Sequence, residues 1–153
     1  MILFLDASAF IKLYVAETGS GAMRRTVRNA TAVYAVDLTY VEVCTALAQA
    51  GQAGLLRPKH AEAAKADFER DWQCVSVVAP DAAMLRRAAE LAATDGVRAS
   101  AGLNLAAAEA IHRQLGATVR YVVCTGDPHL AQCLKRLGLP ALDPGTQERS
   151  ASA

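Results

Sequence analysis

The chain has 153 residues, 53% of them hydrophobic and 20% charged, enough length and apolar content to bury the core of one folded domain. Sixteen Lys and Arg oppose fifteen Asp and Glu, so the net charge of +1 excludes a global attraction for nucleic acid and leaves any such binding to local features. No apolar run approaches the ~20 residues that span a bilayer, and the opening Met1–Asp6 lacks a basic signal-peptide start, so a cytoplasmic protein without membrane contact is expected.

Ile2–Leu5 is a short continuous apolar run, the mark of a strand buried on both faces of a parallel sheet. Asp6-Ala7-Ser8 turns into a helical segment through Tyr14, broken by Gly19-Ser20-Gly21 before a short helix over Ala22–Asn29. Thr31–Val36, β-branched and apolar, predicts the second strand, and Asp37–Ala50 the helix after it, closed by Gly51 and Gly54. Pro58 suits the first turn of a helix ending near Trp72, and Cys74–Val78 reads as the third strand. Pro80 opens a helix to about Ala93 with Met84, Leu85, Ala88 and Leu91 at helical spacing. Ser100–Leu115 is Ala-rich and helical, Arg120–Cys124 the fourth strand, and Asp127-Pro128 starts a helix carrying Leu130, Leu134 and Leu137. Leu139–Leu142 adds a short edge strand, and residues 145–153 are expected to be a disordered tail after a single domain spanning 1–144.

Strands alternating with helices predict an α/β fold of three layers, α/β/α, around a central parallel sheet of four to five strands. Cys44, Cys74, Cys124 and Cys133 contain no CxxC pair and read as small buried hydrophobes in a reducing compartment. With aromatics at 5%, the core is left to Ala, Leu and Val. Trp72 and Tyr14 read as packing residues, Arg24, Arg25 and Arg28 as a solvated helix face, and His60, His112 and His129 receive no role. In such sheets ligands bind beyond the carboxyl ends of the strands, where strand order reverses.

Three acids fall in that region. Asp6 follows the first strand, Glu42 lies in the helix after the second, and Asp127 follows the fourth. Each has an ordinary reading: Asp6 as a helix cap, Asp127 as a cap before a first-turn proline, Glu42 as a solvated residue sharing a face with Thr45 and Gln49. Together they admit another. Carboxylates about 4 Å apart repel by roughly 4 kcal/mol at an effective dielectric near 20, so a cluster needs protons or a cation. Hard oxygen ligands select Mg²⁺ or Mn²⁺, which activates water and stabilises charge developing on a phosphodiester.

The motifs carry a family resemblance. Leu5-Asp6-Ala7-Ser8-Ala9-Phe10, Thr39-Tyr40-Val41-Glu42-Val43, Leu103-Asn104-Leu105-Ala106-Ala107-Ala108 and Thr125-Gly126-Asp127-Pro128-His129-Leu130 resemble, in order and spacing, the motifs of the PIN-domain family in its VapC branch. The resemblance implies a metal-dependent endoribonuclease of a toxin–antitoxin pair, hydrolysing RNA with Mg²⁺ or Mn²⁺. Asp6 and Asp127 would face the metal, with Glu42 a ligand through water or a general base. Ser8 and Thr125 are candidates to bond an acid or the scissile phosphate, and Lys12 and Arg98 candidates to meet RNA phosphate. A homodimer and a VapB-like antitoxin are further implications, an antitoxin arginine among the acids taking the cation's place.

One position departs from the pattern. The family places an aspartate three residues before the His or Asn of the third motif, and this chain has Ala101 there. Asp95, the nearest acid upstream, is expected in a loop and too far away to substitute. Two readings follow: a ribonuclease, or a catalytically impaired PIN module that binds antitoxin or RNA without cutting. A receiver domain would want an acidic pair after the first strand, a haloacid-dehalogenase-like phosphatase Asp-x-Asp there, and a nucleotide binder a glycine-rich loop; none is present.

Overall fold

The computed structural model of the chain describes residues 1–116 and 118–151. Five strands form one parallel sheet: β1 (Ile2–Leu5), β2 (Ala32–Val36), β3 (Ser76–Val78), β4 (Tyr121–Cys124) and β5 (Ala141–Leu142). Their order is β3-β2-β1-β4-β5, with β1 central. Among the described residues eight α-helices flank them, seven between strands and one after β5: α1 (Ala7–Phe10), α2 (Ser20–Arg28), α3 (Leu38–Gln52), α4 (Pro58–Trp72), α5 (Ala82–Asp95), α6 (Ala99–Leu115), α7 (Pro128–Arg136) and α8 (Pro144–Ala151).

The period of two in β1 assigns its side chains to opposite layers. Leu3 and Leu5 enter a core with Phe10, Val43, Leu47 and Phe68, beneath α1, α3 and α4. Phe4 enters the other core, with Leu105, Ile111, Val123 and Leu134, beneath α6 and α7. Leu3, Phe4 and Leu5 are fully buried, each contributing about 1.5–3 kcal/mol through apolar burial. The scarce aromatics concentrate on the first side, where Phe10, Tyr14, Tyr40, Phe68 and Trp72 make ring contacts at 5.5–5.9 Å between centroids. Tyr14 and Trp72 are thus packing residues, as the sequence predicts.

On the second side α6 is buried continuously from Ala101 to Ala108. A helix buried over so long a run is covered on both sides, and here α5 lies against α6. The small residues make that possible: a Cβ on Gly102 would stand 2.6 Å from the Ala88 carbonyl oxygen.

Several expectations shift. The segment after Asp6 is helical only to Phe10 and then tightens into a 3-10 turn over Ile11–Leu13. α2 starts at Ser20, inside the stretch read as a break, because Gly19 supplies a left-handed φ of 93° and Ser20 Oγ bonds the Val15 carbonyl. β3 begins at Ser76 instead of Cys74, since the Cys74 and Val75 amides turn back to the Asp71 and Trp72 carbonyls. Asp95 ends α5 and is not in a loop. Among the cysteines all four are free, but only Cys124 and Cys133 are buried; Cys74 is exposed and Cys44 half-buried.

Through the expected tail from 145, the structure carries α8 as far as 151. Asp143 holds the first turn of α8, accepting the Gly145 amide and the Thr146 hydroxyl. Glu148 then reaches the Gly19 amide and fixes α8 against α2. Residues 152 and 153 lie outside the described residues. No helix among the described residues is long and apolar enough to cross a membrane.

Candidate active site

The chain runs from β1 outward through β2 to β3, then crosses back to place β4 on the other side of β1. Strand order therefore reverses between β1 and β4, whose carboxyl ends deliver Asp6 and Thr125-Gly126-Asp127 side by side.

Both aspartates do cap helices, as their ordinary readings hold. Asp6 accepts the Ala9 amide at 2.8 Å, and Asp127 Oδ1 accepts the His129 and Leu130 amides at 2.9 and 3.2 Å. Capping does not exhaust them. Asp127 Oδ2 has no hydrogen bond among the described residues, and Asp6 is gripped further by hydroxyls. Ser8 Oγ lies 2.8 and 2.9 Å from its two oxygens, and Thr125 Oγ1 donates to Oδ2 at 2.7 Å. Three donors to a carboxylate with about four lone-pair positions leave room for one more ligand. The hydroxyls are themselves fixed: Ser8 Oγ accepts the Gly126 amide at 2.7 Å and Thr125 Oγ1 the Asp127 amide at 3.0 Å.

Asp6 is 5% exposed. Burial pushes its carboxyl up to about 6, opposed by the hydrogen bonds from Thr125, Ser8 and the Ala9 amide and reinforced by the Asp127 charge. Beside it, burial and the Asp6 charge raise the Cys124 thiol to about 12.

Asp6, Ser8, Glu42, Arg98 and Asp127 line one cavity of about 50 Å³, with Ala7, Ser100, Ala101, Asn104 and Leu130 completing its wall. Glu42 comes from the second turn of α3, half-buried and without a hydrogen bond among the described residues, so its reading as a merely solvated residue is incomplete. Arg98 is exposed at the start of α6. Thr125 is fully buried behind Asp6 and acts on it rather than lining the cavity. Lys12 lies outside: its Nζ is held by Glu17 Oε1 at 2.9 Å and the Thr18 carbonyl at 3.0 Å, with its side chain 12% exposed. Its stem packs against Gly126, next to Asp127. A larger groove of about 390 Å³ between α2 and α4 gathers Arg24, Arg28 and Arg70, but it holds no residue from a strand's carboxyl end.

Ala101 sits in the cavity wall where the family pattern wants a carboxylate, and no other acid takes its place. Asp95 pairs with Arg136 and takes no part in the cavity. No group of three His, Cys, Asp or Glu side chains among the described residues is drawn together tightly enough to hold a metal ion. The donor set nonetheless suits a hard divalent cation that keeps much of its water: three carboxylates and one amide face the same space. The amide belongs to Asn104, 5% exposed, whose Oδ1 is buried without a hydrogen-bond partner. Such an oxygen costs about 1–3 kcal/mol unless something else satisfies it. In the sequence Asn104 stands only as a landmark of the third motif; its spacing of three from Ala101, which places both on one helix face, is the signal that points to it.

Residues 3–133 match the family model of the PIN domain. The chain is 32% identical over 110 residues to two proteins of Mycobacterium tuberculosis, Ribonuclease VapC45 and Ribonuclease VapC49, spanning 72% of this chain and 76% of each relative. The crystal structure of PAE2754 from Pyrobaculum aerophilum shares the fold, with a TM-score of 0.67 at 21% identity over 100% of this chain and 97% of that one. The chain belongs to the PIN-domain family, among the VapC-type ribonucleases.

Proposed function

We propose that this protein is a metal-dependent endoribonuclease of a toxin–antitoxin pair, with Asp6, Glu42 and Asp127 as its catalytic carboxylates. The observation that carries the reading is convergence: acids from three separate segments line one small cavity at the point where strand order reverses. Asp6 and Asp127 would hold Mg²⁺ or Mn²⁺, with Glu42 a ligand through water. When bound, the cation supplies Lewis acidity and charge neutralisation for phosphodiester hydrolysis.

The protein's own residues do the rest. Ser8 and Thr125 fix the orientation of the Asp6 carboxylate and keep an acceptor position open. Glu42, without a hydrogen bond among the described residues, accepts the proton of an attacking water. Arg98 at the mouth pairs with an incoming phosphate. Two relatives carry the name ribonuclease, which supports RNA as substrate. The same acids, unneutralised, offer a partner's arginine a binding site, the basis for expecting a VapB-like antitoxin. A homodimer is proposed on family grounds alone.

The test is RNA cleavage with Mn²⁺ or Mg²⁺ by this chain, by Ala101→Asp, and by Ala101→Asp combined with Asp6→Ala. The expected order is weak cutting, strong cutting and none. A folded Ala101→Asp that does not cut sinks the nuclease reading. A second reading then takes over, a module that binds antitoxin or RNA without cutting, which the alanine in the cavity wall and the loose spacing of the acids favour.

A further inference from the structure

The acids of the cavity share a deficiency. Among the described residues Asp6 has an acceptor position left, Asp127 Oδ2 has no donor, Glu42 has none, and between them they bring only negative charge. Asn104 adds a fourth oxygen with the same need, and it is the most confined, because its side chain is buried in the continuous apolar run of α6. The other wall groups do not satisfy it. Ala7, Ala101 and Leu130 are apolar, the Ser8 hydroxyl is committed to Asp6, and neither Ser100 nor the exposed Arg98 bonds to it. Three carboxylates and an amide whose buried oxygen has no partner, all on the walls of one cavity, describe a site for a cation.

Ala101 and Asn104 lie three residues apart on one face of α6, one presenting a methyl group and the other an amide. Resting on the cation reading above, we propose that Asn104 is a ligand of that cation, its Oδ1 standing in as a neutral oxygen for the carboxylate that Ala101 lacks. Asn carbonyls are ordinary partners of hard divalent ions. A neutral ligand adds no repulsion to three carboxylates, so it completes the shell while holding the ion less strongly than a fourth charge does. The site of this chain is then a weakened one and not a dead one.

The experiment is Mn²⁺ titration of the full chain, followed by calorimetry and by the shift of Tm between chelator and saturating Mn²⁺, on wild type, Asn104→Leu and Asn104→Asp. Asn104→Leu keeps the volume and removes the oxygen: Mn²⁺ affinity is expected to fall at least tenfold, while Tm in chelator is unchanged or higher because an unpartnered buried oxygen has gone. Asn104→Asp is expected to bind Mn²⁺ several-fold tighter than wild type. Equal Mn²⁺ affinity in wild type and Asn104→Leu overturns the role of Asn104 while leaving the cation reading intact. If Asn104→Leu does not fold, Asn104→Asp decides, and unchanged affinity there overturns the proposal. A wild type that binds no Mn²⁺ overturns the cation reading and this inference together.

Discussion

Replacing Asp6 by asparagine should make the apo protein more stable at neutral pH, although it removes a residue central to the proposed chemistry. The Asp6 carboxyl titrates near 6 in the folded state because it is buried, against 3.8 for the unperturbed group. A folded value above the unfolded one means that the group's contribution is fully present below about pH 4 and is lost as pH rises through about 6. About two pH units at 1.36 kcal/mol each give a penalty of roughly 3 kcal/mol for the ionised native state at pH 7.5. Asparagine keeps the shape and the acceptor for the Ala9 amide, and the Ser8 and Thr125 hydroxyls can rotate to accept from its NH₂. Allowing about 1 kcal/mol for a weakened charge-assisted bond leaves a gain of about 2 kcal/mol, or roughly 4–8 °C for a chain of this size. Thermal unfolding of wild type and Asp6→Asn in chelator from pH 4 to 8 reads it. The gap should open as pH rises through about 6 and close towards pH 4. A variant no more stable than wild type at pH 7.5, or a gap that widens on acidification, refutes the account of Asp6 as a desolvated carboxylate.

Other perturbations test the scaffold around it. Thr125→Val removes the donor to Asp6 and the acceptor of the Asp127 amide at a fully buried position; a loss of about 1–3 kcal/mol in urea unfolding is expected, with Asp6 titrating higher still by carboxyl NMR. Gly102→Ala drives a methyl into the Ala88 carbonyl and should cost about 1–3 kcal/mol by separating α5 from α6; an unchanged Tm would contradict the close packing. Gly19→Ala combines a strained φ of 93° with a Cβ 2.7 Å from the Gly145 amide, so it should release α8 and speed proteolysis after residue 143.

Much of this protein is legible along the chain. The apolar run Ile2–Leu5, the proline at the start of α4 and the aspartate–proline pair that opens α7 announce their elements without any tertiary information, because strand burial, fixed φ and capping are local properties. The order of four motifs fixes the family for the same reason: each is a short segment whose chemistry depends on its own spacing. Even the gap at Ala101 is visible as a missing side chain.

Tertiary structure decided what depends on distant neighbours. The tail becomes α8 because Glu148 finds Gly19, 129 residues away in sequence. The Lys12 ammonium is held by Glu17 and the Thr18 carbonyl, a pairing set by the turn between them. Glu42 faces the cavity and Asn104 loses its solvent only because α3 and α6 flank strands whose order reverses at β1. Composition and spacing state which groups exist; burial and convergence, which govern their charge and their need for partners, exist only once the sheet has formed.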